Sequence, residues 1–170
     1  MGQRDETMRI WAFALSAVGV VALASEPAAA AEPKRQPPYY ASIGAGRARM
    51  RTGPARTYPA SWLYQRVDLP VRVVAVFNEW RKIADPDGTE GWMQANLLRN
   101  TRTAIVRGSS PADLRDRPDA SGRVVWRAAP GVVGRLSECG NGWCRLDVKG
   151  QAGFVAVASL WGVEAGETLP

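Results

Sequence analysis

Short runs in which hydrophobic and polar residues alternate occupy most of this chain, and few segments show helical periodicity. The clearest alternation lies in residues 80–84 and 89–94, which are separated by Asp85-Pro86-Asp87-Gly88. Aspartate, proline and glycine supply the local side-chain hydrogen bond, the fixed φ and the positive φ that a tight reversal needs. The stretch predicts a β-hairpin followed by one 3₁₀ turn at residues 95–98.

A degenerate copy of this hairpin occurs later in the chain. Four landmarks recur at a nearly constant offset of 62 to 64 residues, with Leu114 for Met50, Trp143 for Trp80, Gly153 for Gly91 and Leu160 for Leu98. The near-constant offset predicts a tandem repeat of two units. Units of about 60 residues are near the lower limit for a single core, so we expect them to pack together or to be cross-linked.

The N-terminus carries the pattern of a secretory signal. Residues 10–23 are an apolar run that follows Arg9 and precedes a run of alanines, which favours cleavage after Ala31. The run is shorter than the ~20 residues of a spanning helix, so we expect no stable membrane span after cleavage. Asp5 and Glu6 are unusual in a signal, which makes Met8 the alternative start to Met1. The predicted segments are a signal peptide at 1–31, a proline-rich linker at 32–38, a first domain at 39–103, a second domain at 104–163 and a flexible tail at 164–170.

The repeat landmarks resemble those of bacterial Src-homology-3-like (SH3b) domains. The matching segments are 50–59, 80–83 and 87–93 in the first unit, and the variant hairpin Cys-Gly-Asn-Gly-Trp-Cys at 139–144 in the second. The resemblance covers residues 39–163 and implies an all-β protein with two tandem SH3-like barrels of five to six strands each. The resemblance also implies an exported protein of the bacterial envelope. The known role of such domains is to bind cell-wall peptidoglycan or to tether an enzyme to it.

Two cysteines flank the turn of the second hairpin. The Asn-Gly pair at 141–142 favours a type I′ turn, which places Gly140 opposite Trp143. Cys139 then faces Cys144 across a non-hydrogen-bonded pair, where Cα atoms come close enough for a disulfide. We therefore predict a structural disulfide and a periplasmic or secreted protein. With no histidine and no other cysteine, the chain has too few ligands for a zinc site.

Charge and composition restrict the function further. The net charge is +6, which suits anionic envelope polymers, whereas an exported protein rarely meets nucleic acid. The alternative is that the basic residues only solubilise exposed faces. Without histidine, Ser-His and Cys-His schemes have no base, so we expect no enzyme and no cofactor. Asp85, Asp87 and Glu90 are close enough in sequence for a calcium loop, but turn chemistry explains them better.

Alternation along the hairpins separates core from surface. It places Ile83 on the core face and both Trp80 and Trp143 on the polar face, where each is either packed under a loop or exposed in a groove. We expect at least one of the two to be structural. Exposed aromatics on a rigid sheet are good binding anchors. The candidate ligand-binding residues are Tyr58, Trp62, Trp80, Arg51, Arg81 and Trp143.

Two functions remain open from the sequence. The first is a non-catalytic exported module that binds peptidoglycan or a cell-wall peptide. The alternative is an envelope protein–protein adaptor that uses the interface between repeats or a sheet edge. Polyproline recognition is not expected, because Gln94 and Leu97 stand where the resemblance places the proline and tyrosine of a eukaryotic SH3 groove.

Overall fold

The computed structural model describes residues 35–170, so the predicted signal peptide and linker residues 32–34 lie outside the described residues. Residues 35–170 form strands and two 3₁₀ turns, Ala95–Leu97 and Val157–Ser159, and contain no α-helix. These residues therefore include no helix that could span a membrane. The strands are β1 (Tyr39–Ile43), β2 (Ala48–Arg51), β3 (Ala60–Tyr64), β4 (Pro70–Phe77), β5 (Trp80–Ala84), β6 (Glu90–Gln94), β7 (Leu98–Arg99), β8 (Thr103–Val106), β9 (Ala112–Arg115), β10 (Val124–Ala128), β11 (Val133–Gly140), β12 (Trp143–Val148), β13 (Gln151–Ala156) and β14 (Leu160–Trp161).

The strands form two seven-stranded antiparallel sheets with the same topology, which confirms the all-β class and the tandem repeat. The first barrel has the order β3-β2-β6-β5-β4-β1-β7, and the second has β10-β9-β13-β12-β11-β8-β14. Each strand has its counterpart 62 to 64 residues later in the other barrel. The units exceed the expected five to six strands because β7 and β14 pair with β1 and β8. The second sheet begins at Thr103, one residue before the predicted boundary.

The first hairpin forms at the predicted residues. β5 and β6 pair from Trp80 opposite Gln94 to Ala84 opposite Glu90, and the loop between them is closed by a buried side chain. Oδ1 of Asp85 accepts hydrogen bonds from the backbone N–H of Asp87 at 3.0 Å and of Thr89 at 2.8 Å. The predicted aspartate turn chemistry is therefore what shapes this loop.

The second hairpin also follows its prediction. Asn141 and Gly142 both have positive φ, of 50° and 79°, as a type I′ turn requires. Gly140 lies opposite Trp143 and Cys139 opposite Cys144. The two cysteines form a disulfide with a Cα–Cα distance of 4.1 Å, which confirms the predicted cross-link.

Each barrel encloses its own hydrophobic core. Alternation along the strands directs one face inward, and Ile83 is fully buried as predicted. The first core comprises Ala41, Ile43, Ala48, Met50, Tyr64, Val71, Val73, Ile83 and Met93. The second comprises Ala104, Val106, Ala112, Leu114, Ala128, Leu136, the two cysteines, Leu146 and Val155.

A glycine in each barrel allows two strands to cross closely. A Cβ built on Gly91 of β6 would lie 2.5 Å from Cγ of Met50 and 2.9 Å from the carbonyl oxygen of Arg51, both on β2. Its counterpart Gly153 would meet Leu114 in the same way, at 2.8 Å. The repeated glycine is therefore a packing requirement.

The two barrels lie in one compact unit. The rings of Tyr40 and Trp161 meet edge to face, with centroids 5.2 Å apart. Ion pairs also join the barrels, among them Arg107–Asp87 at 3.2 Å and Arg135–Asp68 at 3.1 Å. Exposed ion pairs contribute little, so ring packing is the firmer of these contacts.

The C-terminal tail is docked, which corrects the expectation that residues 164–170 are flexible. Leu169 and Cys139 exchange two backbone hydrogen bonds, at 3.1 and 3.2 Å. Both carboxylate oxygens of Glu167 accept bonds from the guanidinium of Arg102, whose side chain is only 14% exposed and lies between the barrels. The polar composition suggested fraying, but this carboxylate neutralises a half-buried cation and Leu169 packs on the second core.

Candidate functional site

A row of arginines lies along the outer face of β2 and includes Arg47, the residue just before this strand. Arg47, Arg49 and Arg51 alternate with Ala48 and Met50, which are fully buried. Because side chains alternate between the faces of a strand, the three guanidinium groups project from the same side. Only Arg51 is among the residues predicted from the sequence, although the period-two arginine pattern carries the signal for the other two.

These arginines line a groove of about 530 Å³ on the first barrel, here called the cationic groove. Leu63 on β3 pairs with Arg49, and Gln94 on β6 pairs with Trp80 on β5. The neighbouring strands β3, β2, β6 and β5 therefore form one continuous surface beneath it. The groove is lined by Arg47, Arg49, Arg51, Arg56, Leu63, Trp80, Gln94 and Leu97.

Among the residues that the structure describes, the lining of the cationic groove contains four cations and no carboxylate. Within residues 35–170, no ion pair involves Arg47, Arg49, Arg51 or Arg56. Arg51 is positioned by its own loop, because its Nη1 donates a 2.6 Å hydrogen bond to the carbonyl oxygen of Tyr58. Clustered guanidinium groups attract anions and bind carboxylate or phosphate oxygens with paired hydrogen bonds. The groove is chemically suited to an anionic ligand.

Trp80 forms part of the groove wall and is only 8% exposed. Of the two alternatives predicted for this residue, the structure shows the packed one. Trp80 therefore lines the groove with only a small exposed area, and most of its side chain is packed within the barrel. The counterpart Trp143 is half-buried in the second barrel, where Leu169 and Pro170 of the tail line the same cleft.

The other predicted aromatics lie outside the lining of the cationic groove. Tyr58 is 46% exposed and its ring lies against Gly53, where a Cβ would come within 2.5 Å. Trp62 is 56% exposed and pairs with Met50, so it lies on the opposite face of β3 from Leu63. Neither ring shares the groove wall with Trp80.

Arg81 lies in a different cleft, of about 120 Å³, together with Tyr39 and Arg99. Its Nη1 donates to the carbonyl oxygens of Asn78 and Trp80, at 2.9 and 3.0 Å. Of the six predicted ligand-binding residues, the structure therefore brings Arg51 and Trp80 into one groove and disperses the other four.

The second barrel lacks the arginine cluster. Pro111, Asp113 and Ala120 stand where the first barrel has Arg47, Arg49 and Arg56, and only Arg115 keeps the charge of its counterpart. Asp113 forms ion pairs with Arg115 at 3.1 Å and with Arg127 at 3.0 Å. Cations at this surface are neutralised locally, so the two barrels present different electrostatic surfaces to a ligand.

Trp126 is a further exposed aromatic that was not predicted. It is 46% exposed and lies opposite Leu114, as Trp62 lies opposite Met50 in the first barrel. The 64-residue offset that identifies the repeat also relates these two tryptophans, and is the sequence signal that would have found Trp126.

A buried polar pair joins β3 of the first barrel to the loop that follows β5. The hydroxyl of Tyr64 donates a 2.9 Å hydrogen bond to Oδ2 of Asp85, and the two residues are 6% and 8% exposed. Burial raises the pKa of Tyr64 above its usual value, and the hydrogen bond to Asp85 raises that pKa further. The tyrosine stays protonated and acts as a donor.

The carboxylates of the first hairpin are occupied by the protein itself. Asp85 is used in the hydrogen bonds above, Asp87 pairs with Arg107, and Glu90 pairs with Lys82 at 2.6 Å. In the part of the chain that the structure describes, no group of three acidic, histidine or cysteine residues could hold a metal ion.

Comparison with protein families gives a match over both barrels. The family model for the bacterial SH3 domain matches twice, at residues 44–100 and 108–162. The first range contains strands β2 to β7 and the second contains β9 to β14, and together they exceed half of the chain.

Comparisons with whole proteins are less informative. No curated protein matches the chain. Among solved structures, the chain is similar to NlpC1 and NlpC2 from Trichomonas vaginalis, with 12% and 11% identity and a TM-score of 0.33 for each. The match covers 75% of this chain in both cases, and 47% and 49% of those chains. This chain thus spans about half their length, and a similarity at this level carries no functional argument.

Proposed function

Because this chain belongs to the bacterial SH3 domain family, we propose that it is an exported, non-catalytic module that binds carboxylate groups of the cell wall. Bacterial SH3 domains are binding domains rather than catalytic ones. The first barrel would hold the ligand in the cationic groove, and the second would serve mainly as its structural partner.

The observation that carries this proposal is a difference in surface charge: the two barrels have the same topology, but only the first has a cluster of arginines at this surface. In the described part of the chain, the first groove is lined by four arginines without a carboxylate, whereas Asp113 neutralises the equivalent surface of the second barrel. Structural needs alone do not account for the difference, because both barrels fold to the same strand order. Guanidinium groups without an ion pair, next to the apolar surface of Trp80 and Leu63, favour a ligand that carries both carboxylates and apolar surface.

Wall peptides have this chemistry. The peptide stems of peptidoglycan are short and carry free carboxylates next to aliphatic side chains, and a groove of about 530 Å³ is in the range of peptide-sized and drug-sized ligand sites. The disulfide supports a periplasmic or secreted location, since such bonds persist in oxidising compartments.

Co-sedimentation with purified peptidoglycan sacculi tests the proposal. The informative variant is the double substitution Arg49→Glu and Arg56→Glu, because both side chains are exposed and outside the core. The matched control is Arg117→Glu with Arg123→Glu, an identical charge change on exposed residues of the second barrel. Trp80→Ala is a poorer choice, since removing a buried indole destabilises the fold by about 3–5 kcal/mol.

We expect the groove variant to lose at least about tenfold in affinity, because charged hydrogen bonds contribute about 1.5–3 kcal/mol each. The control should retain nearly all of its binding. Sacculi whose carboxylates are capped by carbodiimide and an amine should not retain the wild type. Equal losses in both variants would mean nonspecific charge, and no retention of the wild type at low salt would leave the protein adaptor as the remaining function.

A further inference from the structure

The tail of this protein binds its own second barrel by adding a short strand to a sheet edge. Leu169 donates its N–H to the carbonyl oxygen of Cys139 at 3.1 Å, and Cys139 donates its N–H to Leu169 at 3.2 Å. Cys139 can do so because it faces Cys144 across a non-hydrogen-bonded pair of the β11–β12 ladder. In such a pair the backbone polar groups point away from the partner strand.

The first barrel has the same edge. Val76 lies 63 residues before Cys139 and faces Arg81, and Phe77 faces Trp80, in the register of the second hairpin. The backbone N–H and C=O of Val76 therefore point away from β5. On that side β4 is covered by β1 only as far as Val73. Within residues 35–170, no backbone hydrogen bond closes the edge at Val76.

The side chains at this edge are apolar and exposed. Val76 is 45% exposed and Phe77 is 53% exposed, whereas the equivalent Cys139 is 4% exposed beneath the tail. An exposed, apolar, unpaired edge is a template for a further strand, and soluble proteins usually cover or charge such edges. We propose that the edge at Val76–Phe77 docks an extended segment of a partner protein, which adds as an antiparallel strand in the way that the tail does.

The neighbouring cleft specifies the chemistry of that segment. It contains Arg99 and also Arg81, which lies opposite Val76, and no carboxylate of residues 35–170 lines it. The tail itself carries an acid two residues before the leucine that pairs, and Glu167 binds Arg102, the counterpart of Tyr39. The partner segment is accordingly an extended peptide with an apolar residue and a nearby acidic group. The tail of a second copy is not available, because Arg102 and Cys139 already hold it.

A peptide with the sequence of residues 165–170, blocked at its N-terminus, serves as the probe. We expect it to bind the purified protein in titration calorimetry and to slow amide hydrogen exchange at Val76. The same peptide with an N-methylated leucine keeps its side chains but lacks the N–H, so it should not bind. Phe77→Lys should weaken binding at least tenfold, and its exposed side chain makes this variant safe for folding. Val76→Pro, which removes an outward N–H at an edge, should abolish binding.

The groove variant Arg49→Glu with Arg56→Glu separates this inference from the proposed wall binding, because it should bind the peptide normally. The proposal is overturned if the wild type does not bind, if the N-methylated peptide binds equally well, or if Phe77→Lys has no effect. Changes in exchange at Cys139 instead of Val76 would also overturn it, since they would mean that the peptide displaces the tail.

Discussion

Tyr64 and Asp85 form a buried hydrogen bond of 2.9 Å that joins an edge strand to the loop of the first hairpin. The second barrel has neither partner. Ala128 stands at the position of Tyr64, and the shorter hairpin turn there, with Lys149 and Gly150 at positive φ, has no counterpart of Asp85. The two residues work as a unit, and the second barrel is closed by different means.

We expect Tyr64→Phe to destabilise the protein by about 1–3 kcal/mol, because it leaves Oδ2 of buried Asp85 without its donor. Urea denaturation followed by tryptophan fluorescence measures the loss. The double variant Tyr64→Phe with Asp85→Ala is a poor rescue, since Asp85 also accepts the loop amides. An unchanged free energy of unfolding would show that the carboxylate finds another donor.

Alkaline pH should weaken the first barrel. The pKa of Tyr64 is raised by burial and by its bond to Asp85, and burial also raises the pKa of Tyr40. In the unfolded chain tyrosines ionise near pH 10. The native state therefore binds more protons above that pH, so stability is complete below about pH 10 and falls as pH rises further. Urea unfolding across this range checks the slope, which should be shallower for Tyr64→Phe.

The disulfide should contribute about 2 kcal/mol to stability, since it closes a loop with a sequence separation of 5 residues. The double variant Cys139→Ser with Cys144→Ser should unfold at correspondingly lower urea concentration. Reductant should bring the wild type to the same midpoint and leave the variant unchanged. If reductant shifts both equally, the effect does not come from this bond.

Gly91→Ala should destabilise the protein by about 1–3 kcal/mol through overpacking, because the new Cβ meets Met50 and the backbone of β2. Gly46→Ala is the matched control, since its Cβ would have no neighbour within 4 Å. Thermal unfolding of both variants compares them directly. Equal stability of the two would mean that β6 shifts freely away from β2.

Glu167→Gln should destabilise the docked tail by about 1–3 kcal/mol, because it leaves the half-buried cation of Arg102 without its counter-charge. Hydrogen exchange at Leu169 and Cys139 should become faster. Arg107→Gln, which removes a more exposed pair with Asp87, is the control and should change little. Slow exchange retained in Glu167→Gln would show that the backbone pairing alone holds the tail.

The sequence was sufficient for features encoded locally. Alternation and turn chemistry predicted the hairpin ending in Gln94, and the Asn-Gly turn placed Cys139 opposite Cys144. Such features depend on neighbours a few residues apart. The constant offset between copies then extended these local results to the whole fold.

Features that depend on distant partners could not be predicted in this way. The bond between Tyr64 and Asp85 spans 21 residues, and the pair Arg102–Glu167 spans 65. Nothing in the local pattern at 164–170 distinguishes a docked tail from a frayed one. The candidate site was predicted only in part, because the groove is lined by residues of β2, β3, β5 and β6, which only the strand pairing brings together.

The unequal closure of the two barrels makes the halves of this molecule sensitive to different environments. A reductant would destabilise the second barrel, which holds the disulfide between Cys139 and Cys144, and would leave the first barrel unchanged. Strong alkali would act chiefly on the half sealed by Tyr64 and Asp85. The two barrels share one fold but depend on different stabilising interactions, so reduction and high pH each act on a different barrel.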